Sequence, residues 1–453
     1  MLGFPKGFLW GSSTNAQQFE GGWNEGGKGV SIADTRAIPM ETITASNFDD
    51  FKTASDHYHR FREDIAYYGE MGFSIYRFTM SWTRIFPNGD DEQPSTRGLA
   101  FYDAILRELE KNHIQPVVTL YAYDLPENLL KKYNGWMSRQ CIEDYLRYVK
   151  TAVTHFRGRV KYWVPFNEQN AIFLDQEYMT GYRPKDKKEK FQMIHHFNLA
   201  YARTTKLIHS VDSEAKVGGN ICNTCVYPYS CNPKDVESAD EFAYHFGYAF
   251  ADVMVRGKYP KYFLKDYDDC DLTDVILTGD AEFLEASEPD FLSLTYYMSN
   301  TMRAANDDDS MDLLKTPNPY CKQTEWGWSI DPYGFKHFLM DFYHRYQMPI
   351  LILENGLGHR DTLEADGSIV DDYRIEYLAA HIQRMREAIE NGVEIIGYLT
   401  WSATDLYSTR EGFEKRYGFV YVDKENGMKR IPKKSFYWYK KVIASNGSDL
   451  SND

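Results

Sequence analysis

The chain is predicted to be an α/β protein, a (β/α)8 TIM barrel forming a single domain over residues 1–453. Eight short β-rich runs recur along the whole sequence, and longer amphipathic stretches lie between them. No Gly-x-Gly-x-x-Gly turn follows the first run, which argues against the rival doubly wound sheet.

The runs are 8–11, 74–78, 115–121, 162–168, 216–220, 291–297, 350–354 and 395–401. The seventh, Ile350-Leu351-Ile352-Leu353, is continuously apolar, as a strand covered on both faces must be. Helices are read from three- and four-residue spacing. In 139–156 the rhythm is Ile142, Tyr145, Val149, Ala152, Val153 and Phe156. In 372–391 it is Tyr377, Leu378, His381, Ile382, Met385 and Ile389. No linker, repeat or low-complexity tract interrupts the alternation, and only the tail after Ser445 reads as frayed.

A formal net charge of −15 excludes nucleic acid as a partner, because phosphate backbones demand a basic surface. No run reaches membrane-spanning length and the N-terminus has no apolar leader pattern, so a cytoplasmic protein without membrane contact is expected. Aromatic residues make up 16% of the chain, with 35 Tyr and 9 Trp, a stock from which a sugar-stacking cleft can be built. Of the six cysteines, Cys222-x-x-Cys225 and Cys231 lie close together, but no His stands near in sequence to complete a zinc set. Free thiols in a reducing compartment are expected, with no metal and no cofactor.

Two strand-like runs end in a carboxylate: Tyr162-Trp163-Val164-Pro165-Phe166-Asn167-Glu168, and Ile350-Leu351-Ile352-Leu353-Glu354. A buried carboxylate is costly unless it is used, and the strand ends of a barrel are where chemistry is done. Two carboxylates sharing one pocket push their pKa values apart, one ionised and one protonated, as glycosidic bond cleavage requires. The residues alone do not say which of the two takes which role.

Further motifs carry a resemblance. Phe8-Leu9-Trp10-Gly11-Ser12-Ser13 with Gln18-Phe19-Glu20-Gly21, the stretch Tyr76-Arg77-Phe78-Thr79-Met80-Ser81-Trp82, Phe166-Asn167-Glu168, Thr295-Tyr296-Tyr297, Glu354-Asn355-Gly356 and Trp401 follow in order. End to end the chain resembles the retaining β-glycosidases of glycoside hydrolase family 1. The resemblance implies that Glu354 is the nucleophile and Glu168 the acid/base. It implies that Arg77 and Tyr297 support the nucleophile, and that Tyr296 points into the barrel wall. Gln18, Asn167, Thr295 and Trp401 are then the sugar-binding residues.

The resemblance extends to one branch of the family. Members acting on plain sugars carry a Glu and then a Trp seven and eight residues after the equivalent of Trp401; here Ser408 and Thr409 stand there. A carboxylate would repel a 6-phosphate, and a hydroxyl can donate to it. Ser408, Lys415 and Tyr417 match the trio that phospho-specific members use to hold the phosphate. Thr409 in place of Trp favours the gluco configuration, so a 6-phospho-β-glucoside is the expected substrate and a small phosphorylated glycoside the expected partner. A 6-phospho-β-galactosidase, an unphosphorylated β-glucosidase and a non-catalytic phosphosugar sensor are the alternatives; the sequence is compatible with a homo-oligomer.

The pattern breaks at Tyr121-Ala122-Tyr123-Asp124-Leu125-Pro126, where Ala122 replaces a His that donates to the sugar 3-hydroxyl in the family, and Gln169 replaces the usual residue after Glu168. An altered substrate, a weaker enzyme, or another side chain filling the gap would each follow.

Overall fold

A computed structural model describes residues 3–36, 51–222, 225–304 and 318–452. Eight parallel strands close a barrel: β1 Leu9–Ser13, β2 Ile75–Thr79, β3 Gln115–Thr119, β4 Tyr162–Val164, β5 Lys216–Cys222, β6 Phe291–Tyr296, β7 Ile350–Asn355 and β8 Ile395–Trp401. Each pairs with its sequence neighbours, and the ring closes where β1 meets β8, from Leu9 opposite Gly397 to Ser13 opposite Trp401. All eight predicted runs are strands. β2 and β7 are buried at every position, and in β7 this accounts for the apolar run Ile350-Leu351-Ile352-Leu353.

Outer helices follow the strands, among them α1 His57–Met71, α2 Thr96–Lys111, α3 Arg139–His155, α4 Lys187–Val211, α5 Pro332–Tyr346 and α6 Asp372–Glu390. The Ser138 side chain caps α3 and that of Asp186 caps α4, each accepting from a first-turn backbone N–H. Ile75, Val117, Val164, Phe291, Leu351, Leu353 and Leu399, with Tyr162, form an apolar cluster contributed by strands alone. The larger core lies between strands and helices.

Two expectations are corrected. β4 stops at Val164, because Pro165 has no N–H to continue the ladder, so Glu168 stands beyond the strand rather than at its end. The tail after Ser445 is anchored. Asn446 accepts from the Trp10 indole at 2.9 Å and from Phe4 N at 3.0 Å, which ties the C-terminal turn to the start of β1.

Candidate active site

The predicted residues converge at the C-terminal end of the barrel. Between β6 and β7 the register slips: Leu294 faces Ile352, but the next pair is Thr295 and Glu354. The extra residue, Leu353, packs in the strand-only cluster, and plain alternation would turn Glu354 away from it. The bulge re-aims Glu354 toward the barrel mouth. There Arg77 Nη1 donates to Oε1 at 2.8 Å and the Tyr297 hydroxyl donates to Oε2 at 2.6 Å. Arg77 is fully buried, so its other donors are placed as well: Nε on Thr119 Oγ1 at 2.9 Å and Nη2 on Asn167 Oδ1. Tyr296 does point into the wall, where its hydroxyl donates to Asp331 O.

Glu168 has a left-handed backbone, φ 43°, with its N–H donating to Asn220 Oδ1 at 2.7 Å. Asn220 Nδ2 also donates to Thr295 Oγ1 at 3.3 Å, so β5 links Glu168 to β6. The partner of the Glu168 side chain is Tyr123, itself left-handed at φ 64°, whose hydroxyl donates to Oε2 at 2.6 Å. Asn167 Nδ2 donates to that same phenol oxygen at 2.8 Å, which leaves the phenol proton for Glu168. The phenol lies one residue from Ala122, the place of the missing imidazole. Gln169 turns the other way and bonds Asn198 on α4.

The two carboxylates differ electrostatically. Burial, and then the neighbouring charge of Glu354, push the Glu168 carboxyl up to about 7, against the Tyr123 bond and the Arg77 field. Burial also raises Glu354, but the Arg77 charge and the Tyr297 bond hold it down. Glu168 is the member of the pair that keeps its proton.

The second half of the site is the loop after β8. Asp405 anchors it by accepting from Lys433 Nζ at 2.6 Å, Arg416 Nη1 at 2.8 Å and Gly418 N at 2.9 Å. Within the loop, Ser408 and Gly412 exchange two backbone hydrogen bonds of 3.1 Å. Lys415 and Tyr417 are buried, and a Cβ on Gly358 would lie 2.6 Å from Lys415 Cε, so that glycine makes room for the lysine. The Lys415 ammonium sits 3.7 Å from the Trp328 ring centre, and burial pulls its pKa down to about 8. Burial, then Glu411, raises the Tyr417 phenol.

Gln18 is stitched to the same loop, Nε2 donating to Tyr407 O at 3.0 Å, while Asn15 donates to its Oε1 at 2.6 Å. Trp401 packs with Phe19, Leu406 and Tyr417, with Tyr297 and Trp328 beside them. Thr409 is partly exposed on the Ser408 turn.

Three residues of the site were missed from sequence: Tyr123, Trp328 and Glu411. The Ser408 hydroxyl donates to Glu411 Oε2 at 2.7 Å, and Glu411 Oε1 lies 3.8 Å from Lys415 Nζ. The signal was present in Ser408-Thr409-Arg410-Glu411-Gly412, since a Ser-x-x-Glu spacing brings the two side chains together in a turn. All six cysteines are unpaired. Among the described residues no group of metal-ligating side chains occurs, and no helix is long and apolar enough to cross a membrane.

Comparison with known proteins agrees with this geometry. The family model for glycosyl hydrolase family 1 matches residues 2–448. The chain belongs to that family. An aryl-phospho-beta-D-glucosidase of Bacillus subtilis (strain 168) is 43% identical over 99% of this chain and 98% of its own length. A 6-phospho-beta-glucosidase of Clostridium longisporum is 42% identical over 99% of each. Among solved structures, a beta-glucosidase from Thermotoga maritima in complex with glucoimidazole superimposes with a TM-score of 0.88 at 31% identity, covering 99% of this chain and 100% of that one. The family protein is a glycoside hydrolase built on the eight-stranded barrel.

Proposed function

We propose that the protein hydrolyses 6-phospho-β-glucosides with retention of configuration, releasing glucose 6-phosphate and the aglycone. The observation that carries the phosphate is Lys415: a buried ammonium, backed by an indole, on the loop that bears Ser408. A buried cation of this kind favours an anionic ligand, and a 6-phosphate supplies one. The relatives named for phosphoglucosides, similar over 99% of this chain, support the same reading.

In the first step Glu354 attacks the anomeric carbon while Glu168 gives its proton to the leaving oxygen. Arg77 and Tyr297 keep the attacking carboxylate ionised and oriented. Formation of the glycosyl ester removes the Glu354 charge, which lowers the Glu168 pKa, and Glu168 then takes a proton from the incoming water. The Tyr123 phenol stabilises Glu168 as that base. Asn167, Thr295, Gln18 and Trp401 form the sugar subsite, with Thr409 at its rim and Ser408, Lys415 and Tyr417 around the phosphate. The barrel, residues 1–453, acts as one domain, and a substrate that carries a phosphate and cannot cross a bilayer unaided places the reaction in the cytoplasm.

The test is hydrolysis of 4-nitrophenyl 6-phospho-β-D-glucoside against the unphosphorylated parent. A higher kcat/KM on the phosphoglucoside is expected. Equal values on both would remove the phosphate reading, and turnover of neither would favour a non-catalytic sensor.

A further inference from the structure

The phosphate end of the site already holds an anion. The Ser408 hydroxyl is committed to Glu411 Oε2 at 2.7 Å, and the carboxylate approaching Lys415 is Glu411 Oε1 at 3.8 Å. Among the described residues Lys415 Nζ makes no hydrogen bond; it lies over the Trp328 face with Trp326 and Tyr417 farther off, and of the charges around it, Glu411, Arg410 and Glu325, Glu411 acts most strongly. Two of the three groups that would hold a phosphate are therefore engaged by one side chain of the protein itself.

A carboxylate and a phosphate cannot share these contacts. Each accepts the single proton of Ser408, and like charges at contact distance repel. The arrangement lets one of them leave. The Glu411 side chain is 14% exposed against 2% for Lys415, so it lies on the solvent side of the lysine. Its turn is closed through the backbone by Ser408 and Gly412, so side-chain rotation can free the Ser408 hydroxyl without opening the loop.

We propose that Glu411 is a specificity-determining residue: an internal anion that occupies the phosphate position in the free protein and is displaced by the substrate's 6-phosphate. This deepens the phosphoglucoside reading and rests on it. The carboxylate offsets the cost of a buried cation while the site is empty. A dianionic phosphate brings more charge and more acceptors than the carboxylate and takes its place. A neutral sugar does neither and leaves Glu411 on Ser408. Part of the binding energy of the phosphate is spent on this exchange, so Glu411 weakens phosphosugar binding and leaves a plain glucoside unaffected.

The experiment is Glu411→Gln, in the full chain, on 4-nitrophenyl 6-phospho-β-D-glucoside and its parent, with inhibition by glucose 6-phosphate as a second measure. Gln retains an oxygen for Ser408 and removes the charge. The ratio of the two kcat/KM values should rise at least fivefold, through a lower KM for the phosphoglucoside, and glucose 6-phosphate should inhibit at correspondingly lower concentration. A ratio that stays the same or falls overturns the proposal and makes Glu411 a support of the phosphate loop. Should the variant melt early, Glu411→Asp draws the anion back by one methylene and must move the ratio in the same direction. Wild-type enzyme without preference for the phosphoglucoside would instead remove the underlying reading.

Discussion

The carboxylate pair, proposed as the reaction centre, and the loop after β8, proposed to hold the phosphate, are built on opposite plans. At the reaction centre, side chains from four strands or their ends fix both carboxylates, and the donors on Glu354 are already in place: Arg77 at 2.8 Å and Tyr297 at 2.6 Å. The loop after β8 is firmly rooted at Asp405, yet its upper groups are already engaged by the protein's own side chains, Ser408 by Glu411 and Lys415 by the Trp328 indole from outside the loop. Charge that develops during a reaction needs partners fixed beforehand, because there is no time to reorganise them. Charge that arrives with a ligand can be met by exchange. Under the proposed function the first region serves the transition state and the second serves recognition of the phosphate.

The comparison breaks most completely at Glu354. Glu354→Ala is expected to abolish turnover, whereas Glu168→Ala should still be glycosylated by substrates whose leaving group needs no proton. Azide should rescue that second variant as a β-glycosyl azide; an α-azide would mean the two roles are reversed.

A change at the recognition end should be graded. Ser408→Glu places a second carboxylate beside Glu411 and should cost the phosphoglucoside ~2 kcal/mol or more in kcat/KM, with a smaller loss on the parent. Equal losses on both substrates would put the phosphate elsewhere.

Ala122→His asks whether the unusual third strand end is a deficit. Restoring one donor should raise kcat/KM on a simple 6-phosphoglucoside about tenfold, the worth of one good hydrogen bond. No change on any phosphoglucoside would mean that residue 122 does not face the sugar.

The smallest effect expected is a shift in pH. Glu168 must be protonated to act as acid, so kcat/KM falls as pH rises through about 7. Tyr123 donates to the ionised form and so lowers this pKa; Tyr123→Phe removes that donor and should move the alkaline limb to higher pH. The parent glucoside is the substrate to use, because Lys415 loses its own proton near 8 and would add a second limb with the phosphate. A limb that moves to lower pH would show that Tyr123 does not stabilise the carboxylate.

All eight strands and both carboxylates were legible in the sequence because they rest on local pattern: an apolar run, a polar residue at its end, and motifs of fixed spacing. What escaped depends on backbone geometry or distant contact. Glu168 read as the last residue of a strand because Phe166 and Val164 are apolar, but Pro165 removes the ladder donor and the left-handed residues Tyr123 and Glu168 then set the meeting of phenol and carboxyl. The turn that joins Ser408 to Glu411 was visible as a spacing, yet its meaning depends on Lys415 coming to lie beneath it. Ser445 and Asn446 looked like a loose end for want of an apolar pattern, and only the fold brings Trp10 to them.

The closing seam of the barrel has a consequence for the protein's manufacture. Ser12 on β1 donates to the carbonyl of Thr400 on β8, across 388 residues of chain. At translation rates of about 5–20 residues per second, β1 leaves the ribosome roughly 20–80 s before its partner strand exists. Throughout that interval the sheet is an open, growing ribbon whose first edge is unpaired, the condition in which strands find foreign partners. A chain that stops between residues 355 and 394 has both Glu168 and Glu354 but lacks the strand Ile395–Trp401 that closes the ring. The nascent protein therefore depends on whatever shelters that edge until its last strand arrives.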